Sequence, residues 1–69
     1  MQMQLEKLVK NLSISDQNII KGFSVNFILA NSRKIEFLKA RREKDYIRVD
    51  VLMDGRAEWF HVTNTDTWY

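Results

Sequence analysis

The sequence predicts an α+β domain in which an N-terminal helix packs on a strongly bent antiparallel sheet of four to five strands. Three observations carry that expectation. Asp54-Gly55 sits between two β-rich runs, YIRVDVLM and RAEWFHVT, the strongest short-range signal of a two-residue hairpin. Residues 2–12 repeat apolar side chains at helical spacing, and residues 23–29 alternate apolar with polar.

Leu5, Leu8, Val9 and Leu12 form one stripe on residues 2–12, with Glu6, Lys7 and Lys10 away from it. That pattern is an amphipathic helix covering a sheet. Ser15 or Asp16 caps a short helical turn that runs to Lys21, and Gly22 terminates it in a left-handed conformation. Phe23, Val25, Phe27 and Leu29 then point one way, as in a strand with one buried face. A loop of Asn31 to Arg33 sets Leu29 opposite Ile35 and Phe27 opposite Phe37, apolar against apolar.

Residues 34–44 carry two readings. Their Glu, Leu, Lys, Ala and Arg content favours helix, yet Ile35 and Phe37 fit a period of two. The strand reading leaves Arg41 to Lys44 as an exposed hairpin tip. The alternative, with residues 33–44 helical, makes the order αβαββ. In the Asp54-Gly55 hairpin, Met53 pairs with Arg56, Val51 with Glu58, Val49 with Phe60 and Ile47 with Val62. Ile47, Val49, Val51, Phe60 and Val62 form the buried face. Tyr46, Arg48, Asp50, Leu52, Ala57, Trp59, His61 and Thr63 occupy the other. Residues 64–69 end in Trp68-Tyr69, as a short fifth strand or as a pin holding the terminus to the core.

With 69 residues the chain is one domain, 1–69. A chain of this length buries only about 60% of its unfolded surface, so its core is marginal. There is no cysteine, which removes disulfides and thiolate metal sites. The longest apolar stretches, Phe27 to Ala30 among them, fall far short of the roughly 20 residues that span a bilayer, and the N-terminus lacks the apolar centre of a signal peptide. A cytoplasmic location without membrane contact is expected.

Charge and chemistry narrow the function classes. The net charge is +2, unevenly spread. Residues 33–48 hold Arg33, Lys34, Lys39, Arg41, Arg42, Lys44 and Arg48 against Glu36, Glu43 and Asp45, leaving +4. Residues 49–69 hold Asp50, Asp54, Glu58 and Asp66 against Arg56, leaving −3. His61 is the single histidine, too few for a converging ligand set. Asp50 and Glu58 fall on opposite faces and make no carboxylate dyad. No glycine-rich phosphate loop is present. A non-enzymatic protein without metal or cofactor is expected.

The constellation that remains is Tyr46, Arg48, Trp59 and His61 on one sheet face, with Lys39, Arg41, Arg42 and Lys44 beside it. Aromatic platforms stack unpaired bases and cations track phosphates, so the first expectation is a nucleic-acid-binding protein, of single-stranded RNA foremost. The alternative is a small protein-binding module, an inhibitor or adaptor of the size that mobile genetic elements carry, anchored by Trp59 and Tyr46. Those aromatics are also explained by simple packing within a small barrel or oligomer. A homo-oligomer joined through sheet edges is a further expectation.

Part of the chain resembles the Sm-like fold of the Hfq family. Val25-Asn26-Phe27-Ile28-Leu29, with Asn31 and Lys34-Ile35, resembles that family's first strand, its turn and the start of its second strand. Trp59-Phe60-His61-Val62 resembles the aromatic-basic-histidine-small motif of its fourth strand. The resemblance spans residues 25–65. Phe37 stands where the family has a glycine that bends the second strand, Phe60 where it has a basic RNA-site residue, and Arg41-Arg42-Glu43-Lys44 where it has an acidic-turn motif. The link from Leu12 to Gly22 is longer than the family's. The resemblance implies an Sm- or SH3-like partial barrel, a ring oligomer binding single-stranded RNA, and His61 as the carried-over contact.

Overall fold

The Asp54-Gly55 turn organises the sheet. In the computed structural model, which describes residues 2–69 with side chains from Glu6 onward, both turn residues have positive φ, 54° and 84°, the geometry that matches the twist of the flanking strands. Asp tolerates this left-handed conformation and Gly adopts it freely. The turn joins β2 (Ile47–Met53) to β3 (Arg56–Asn64) in the register expected, from Ile47 opposite Val62 to Met53 opposite Arg56. β1 (Ile35–Arg42) and β4 (Thr67–Trp68) complete an antiparallel meander in the order β1-β2-β3-β4. Asp54 also accepts at Oδ1 from the Lys34 N–H (3.1 Å), tying the turn to the entry of β1.

Residues 34–44 follow the strand reading, so the αβαββ alternative falls. Arg41 and Arg42 belong to β1, and the reversal begins at Glu43, not at Arg41. A bulge explains why the apolar positions here look scattered. Phe37 pairs with Val51 and Lys39 with Asp50, so Leu38 is the extra residue. Before it Ile35 and Phe37 face the core; after it Ala40 does, and Lys39 moves to the outer side.

The principal correction concerns residues 14–30. They form one helix, α2 (Ile14–Ala30), behind α1 (Gln2–Val9). The expected strand at 23–29, its pairing with residues 35–37 and the short capped turn ending at Gly22 do not occur. The cap is Ser13, whose hydroxyl accepts from the Asp16 N–H at 3.1 Å, two residues before Ser15 and three before Asp16, the caps expected. Phe23 and Phe27 satisfy helical spacing as well as alternation, and with Ile20 they are at most 1% exposed. Val25 and Leu29, the other half of the alternating set, are 57% and 79% exposed. With apolar residues on both sides of α2, no single face announced the helical period. Residues 25–29, quoted for the Sm-like first strand, therefore lie in a helix.

Both helices cover the same side of the sheet. Val9 of α1 and Ile20, Phe23 and Phe27 of α2 join Ile47, Val49, Val51, Met53 and Val62 in one core. Leu8 and Leu12 pack against it; Leu5, expected on the same stripe, lies outside the described side chains. Phe60 and Trp68 close over Phe27 at ring-centroid distances of 5.1 and 5.6 Å. Trp68 thus pins the chain end to the core, and residues 67–68 form the short last strand expected, the fourth and not the fifth because residues 23–29 are helical.

Two contacts hold α2 to distant parts of the chain. A Cβ at Gly22 would stand 2.6 Å from Thr65 Cγ2, so glycine lets the β3–β4 turn lie on the helix, where Asn26 Nδ2 donates to the Thr65 carbonyl at 3.0 Å. At the helix start, Arg42 clamps Asp16 through two hydrogen bonds, Nη2 to Oδ1 at 2.7 Å and Nε to Oδ2 at 3.0 Å. Those bonds hold the Asp16 carboxyl below its ordinary value against the opposing effect of burial, with the Arg42 charge and the Ser13 hydroxyl adding to the lowering.

Two outcomes follow. Alanine is about 1 kcal/mol better than glycine inside a helix, yet Gly22→Ala should lower the urea midpoint, and adding Thr65→Ser, which removes the clashing methyl, should restore part of it. The Asp16 contribution is complete above the unfolded carboxyl pKa of about 3.9 and is lost as pH falls through the lower folded value. Urea titrations from pH 6 down to about pH 2 should show an acid-side loss that is smaller in Asp16→Asn than in the wild type.

Candidate nucleic-acid interface

Alternation along β2 and β3 sends every second side chain away from the helices. On β2, Ile47, Val49, Val51 and Met53 are buried, while Arg48, Asp50 and Leu52 lie outward and half-buried. On β3 the outward residues are Ala57, Trp59, His61 and Thr63, the set expected for this face. No helix covers this side among the described residues.

The outer face is built around His61. Its ring lies 4.4 Å from that of Tyr46 and 4.7 Å from that of Trp59. Tyr69 stacks on it almost parallel, 4.5 Å away with 9° between planes. Residue 69 reaches this place because it pairs with residue 61: the His61 N–H donates to the Tyr69 oxygen at 2.8 Å, and the Tyr69 N–H to the His61 carbonyl at 3.0 Å. His61 Nδ1 is 3.2 Å from the same Tyr69 oxygen. An oxygen there only accepts, so Nδ1 donates in this contact. At the far end of the row, the Arg48 guanidinium lies 4.2 Å from the centroid of the Trp59 ring, a cation–π contact. Its Nε and Nη2 donate to Asp50 Oδ1 at 3.3 and 3.2 Å. Arg48 is thereby held over the indole.

The row therefore runs Arg48, Trp59, His61, Tyr69, with Tyr46 flanking. Trp59 is 42% exposed and Tyr69 67% exposed. One face of Tyr69 is committed to His61, so its exposure lies on the other. Beside Trp59 an open groove of about 450 Å³ is lined by Lys39, Arg48, Asp50 and Leu38 among others. The outer face can accept flat rings at Tyr69 and along the Arg48–Trp59 edge; Arg48 is paired with Asp50, and Glu58 also lines the groove, so Lys39 is its cation without an ion pair among the described residues.

Tyr46, Arg48, Trp59 and His61 converge as the sequence predicts. The basic residues divide. Lys39 reaches the outer side through the Leu38 bulge, and Arg41 stands opposite Arg48 on that side. Arg41 also donates to Glu43 Oε2 at 2.7 Å, on an exposed edge. Arg42 is the exception: it lies across from Ile47 on the helix side, and its charge is spent on Asp16. Lys44 sits in the β1–β2 reversal, exposed. Sequence reasoning missed Tyr69, although pairing of residue 68 with residue 62 places residues 68 and 69 on opposite faces by simple alternation. It also missed the Asp50 carboxylate as the group that orients Arg48.

Among the described residues no helix is long and apolar enough to cross a membrane, and no three His, Cys, Asp or Glu side chains gather as a metal site would require. No protein-family model, curated protein or solved structure matches the chain.

Trp68 and Tyr69 are neighbours with opposite duties, which substitution should separate. Trp68→Ala removes a ring wedged on Phe23 and Phe27 and should cost about 3 kcal/mol, near the low end for a core aromatic because it is half-buried. Tyr69→Ala loses one surface stack, worth about 1 kcal/mol. Equal losses in urea unfolding would contradict this division.

Proposed function

We propose that the protein binds single-stranded nucleic acid, RNA foremost, on the outer face of its sheet, without catalysis. The observation that supports this most is the unbroken row of Arg48, Trp59, His61 and Tyr69 on the one sheet face that no described helix covers. A base has two flat faces and stacks on an aromatic or guanidinium plane regardless of its identity. Bases within a duplex do not offer those faces, so the ligand is unpaired. Lys39 and Arg41 lie on the adjoining strand, where a phosphate backbone would pass.

A protein-binding role is supported by a different surface from the one expected. Val25, Ile28 and Leu29 lie at i, i+3 and i+4 on α2 and are 57%, 45% and 79% exposed. That apolar stripe suits a protein contact, a second copy included, better than Tyr46, which is packed on His61.

Fluorescence anisotropy with labelled mixed-sequence RNA tests the leading role. Affinity should fall steadily as salt rises. Trp59→Ala and Tyr69→Ala should each weaken binding by about 1–3 kcal/mol while leaving the salt slope unchanged. Absence of binding at low salt, or binding indifferent to salt, would remove the proposal. Molecular mass in solution before and after nuclease treatment separates the two roles: an assembly that survives nuclease supports contact through protein.

A further inference from the structure

Lys39 stands where two grooves meet. One is the outer groove beside Trp59. The other, about 480 Å³, lies across the edge strand between α1 and β1, with Lys7, Asn11, Lys39 and Arg41 at its rim and Leu8 and Leu12 at its floor. None of the residues lining the second groove is acidic. Arg41 and Arg42 are tied to Glu43 and Asp16. Lys7 and Lys39 enter no ion pair among the described residues, so they supply its uncompensated charge. The bulge at Leu38 brings Lys39 to the outer side, and at the edge of the sheet the residue lines both grooves.

We infer that the α1–β1 groove is a phosphodiester-binding subsite: a single strand whose bases rest on the outer face turns over β1 at Lys39 and lays its backbone along Lys7 and Asn11. This rests on the proposed role of the outer face. Uneven charge favours a nucleic-acid backbone there, because repeated phosphates can meet Lys39, then Lys7, in succession. The apolar floor of Leu8 and Leu12 suits sugar rings. β1 is an edge strand, so no further strand among the described residues blocks the crossing.

Length and charge together test the path. Binding sites of single-strand binders range over about 4–16 nucleotides, so an RNA of about 4 nucleotides covers the outer face alone and one of about 12 reaches both grooves. Each phosphate contact removed from a single strand should lower the salt slope by about 0.7. Lys39→Gln should lower it with both RNAs. Lys7→Gln should lower it with the longer RNA only, and Lys21→Gln, on the outward side of α2, with neither. An unchanged slope for Lys7→Gln on the longer RNA overturns the subsite while leaving the outer face intact. An equal drop for Lys7→Gln and Lys21→Gln also overturns it, since that is the signature of overall charge. Binding of neither RNA by the wild-type protein overturns the outer-face role and the subsite together.

Discussion

Phe23 and Phe27, one helical turn apart on α2, are the wedge on which the rest of the molecule depends. Their rings lie 5.1 Å apart and meet side chains from three different strands: Phe37 of β1, Phe60 of β3 and Trp68 of β4. In a chain too short for a second core, these contacts join elements that are distant in sequence. They also set which side of the sheet the helices occupy. The tilted and edge-to-face arrangements allow five aromatic rings to share a small volume with favourable edge-to-face electrostatics.

The one-sided cover is what creates a surface for function. A four-stranded antiparallel sheet has two faces, and two helices of this length close only one. The outer face must be reconciled with water by its own side chains. It manages this with amphipathic groups, Arg48 lying over Trp59 and His61 between Tyr46 and Tyr69, so polar atoms and flat apolar surface alternate. Arg48 is held by Asp50 of its own strand and His61 by Tyr69, the residue next to β4 that pairs with it, so the row follows backbone register. The same register separates Arg41 from Arg42, sending one to the outer edge and the other to Asp16.

Legibility in the sequence varied with how local the determining forces were. The β2–β3 hairpin could be read to the residue because a two-residue Asp-Gly turn fixes register within the hairpin. The outer-face residues Tyr46, Arg48, Trp59 and His61 followed from that register alone. Residues 23–29 could not be read this way. Phe23 and Phe27 satisfy a period of two and a spacing of four equally, and Gly22 resembled a stop because nothing nearby in sequence reveals that Thr65 lies against it. Leu38 misled for a related reason: a bulge breaks alternation by one residue, and its position depends on the neighbouring strand. Arg42 counted as a free cation until its partner, 26 residues earlier, was visible. Tyr69 was within reach of alternation but depends on a strand of only two residues.

The side change between Trp68 and Tyr69 has a spectroscopic corollary. The chain has two tryptophans, and they sit in unlike surroundings: Trp68 among phenylalanine rings on the helix side, Trp59 under a guanidinium at the water boundary. Intrinsic emission is consequently a sum of two sources, a shielded one sensitive to melting of the interior and a wetter one sensitive to what settles outside. Replacing either indole with phenylalanine leaves a single-colour protein in which loosening of the interior and occupation of the exterior can be followed separately, without any attached dye.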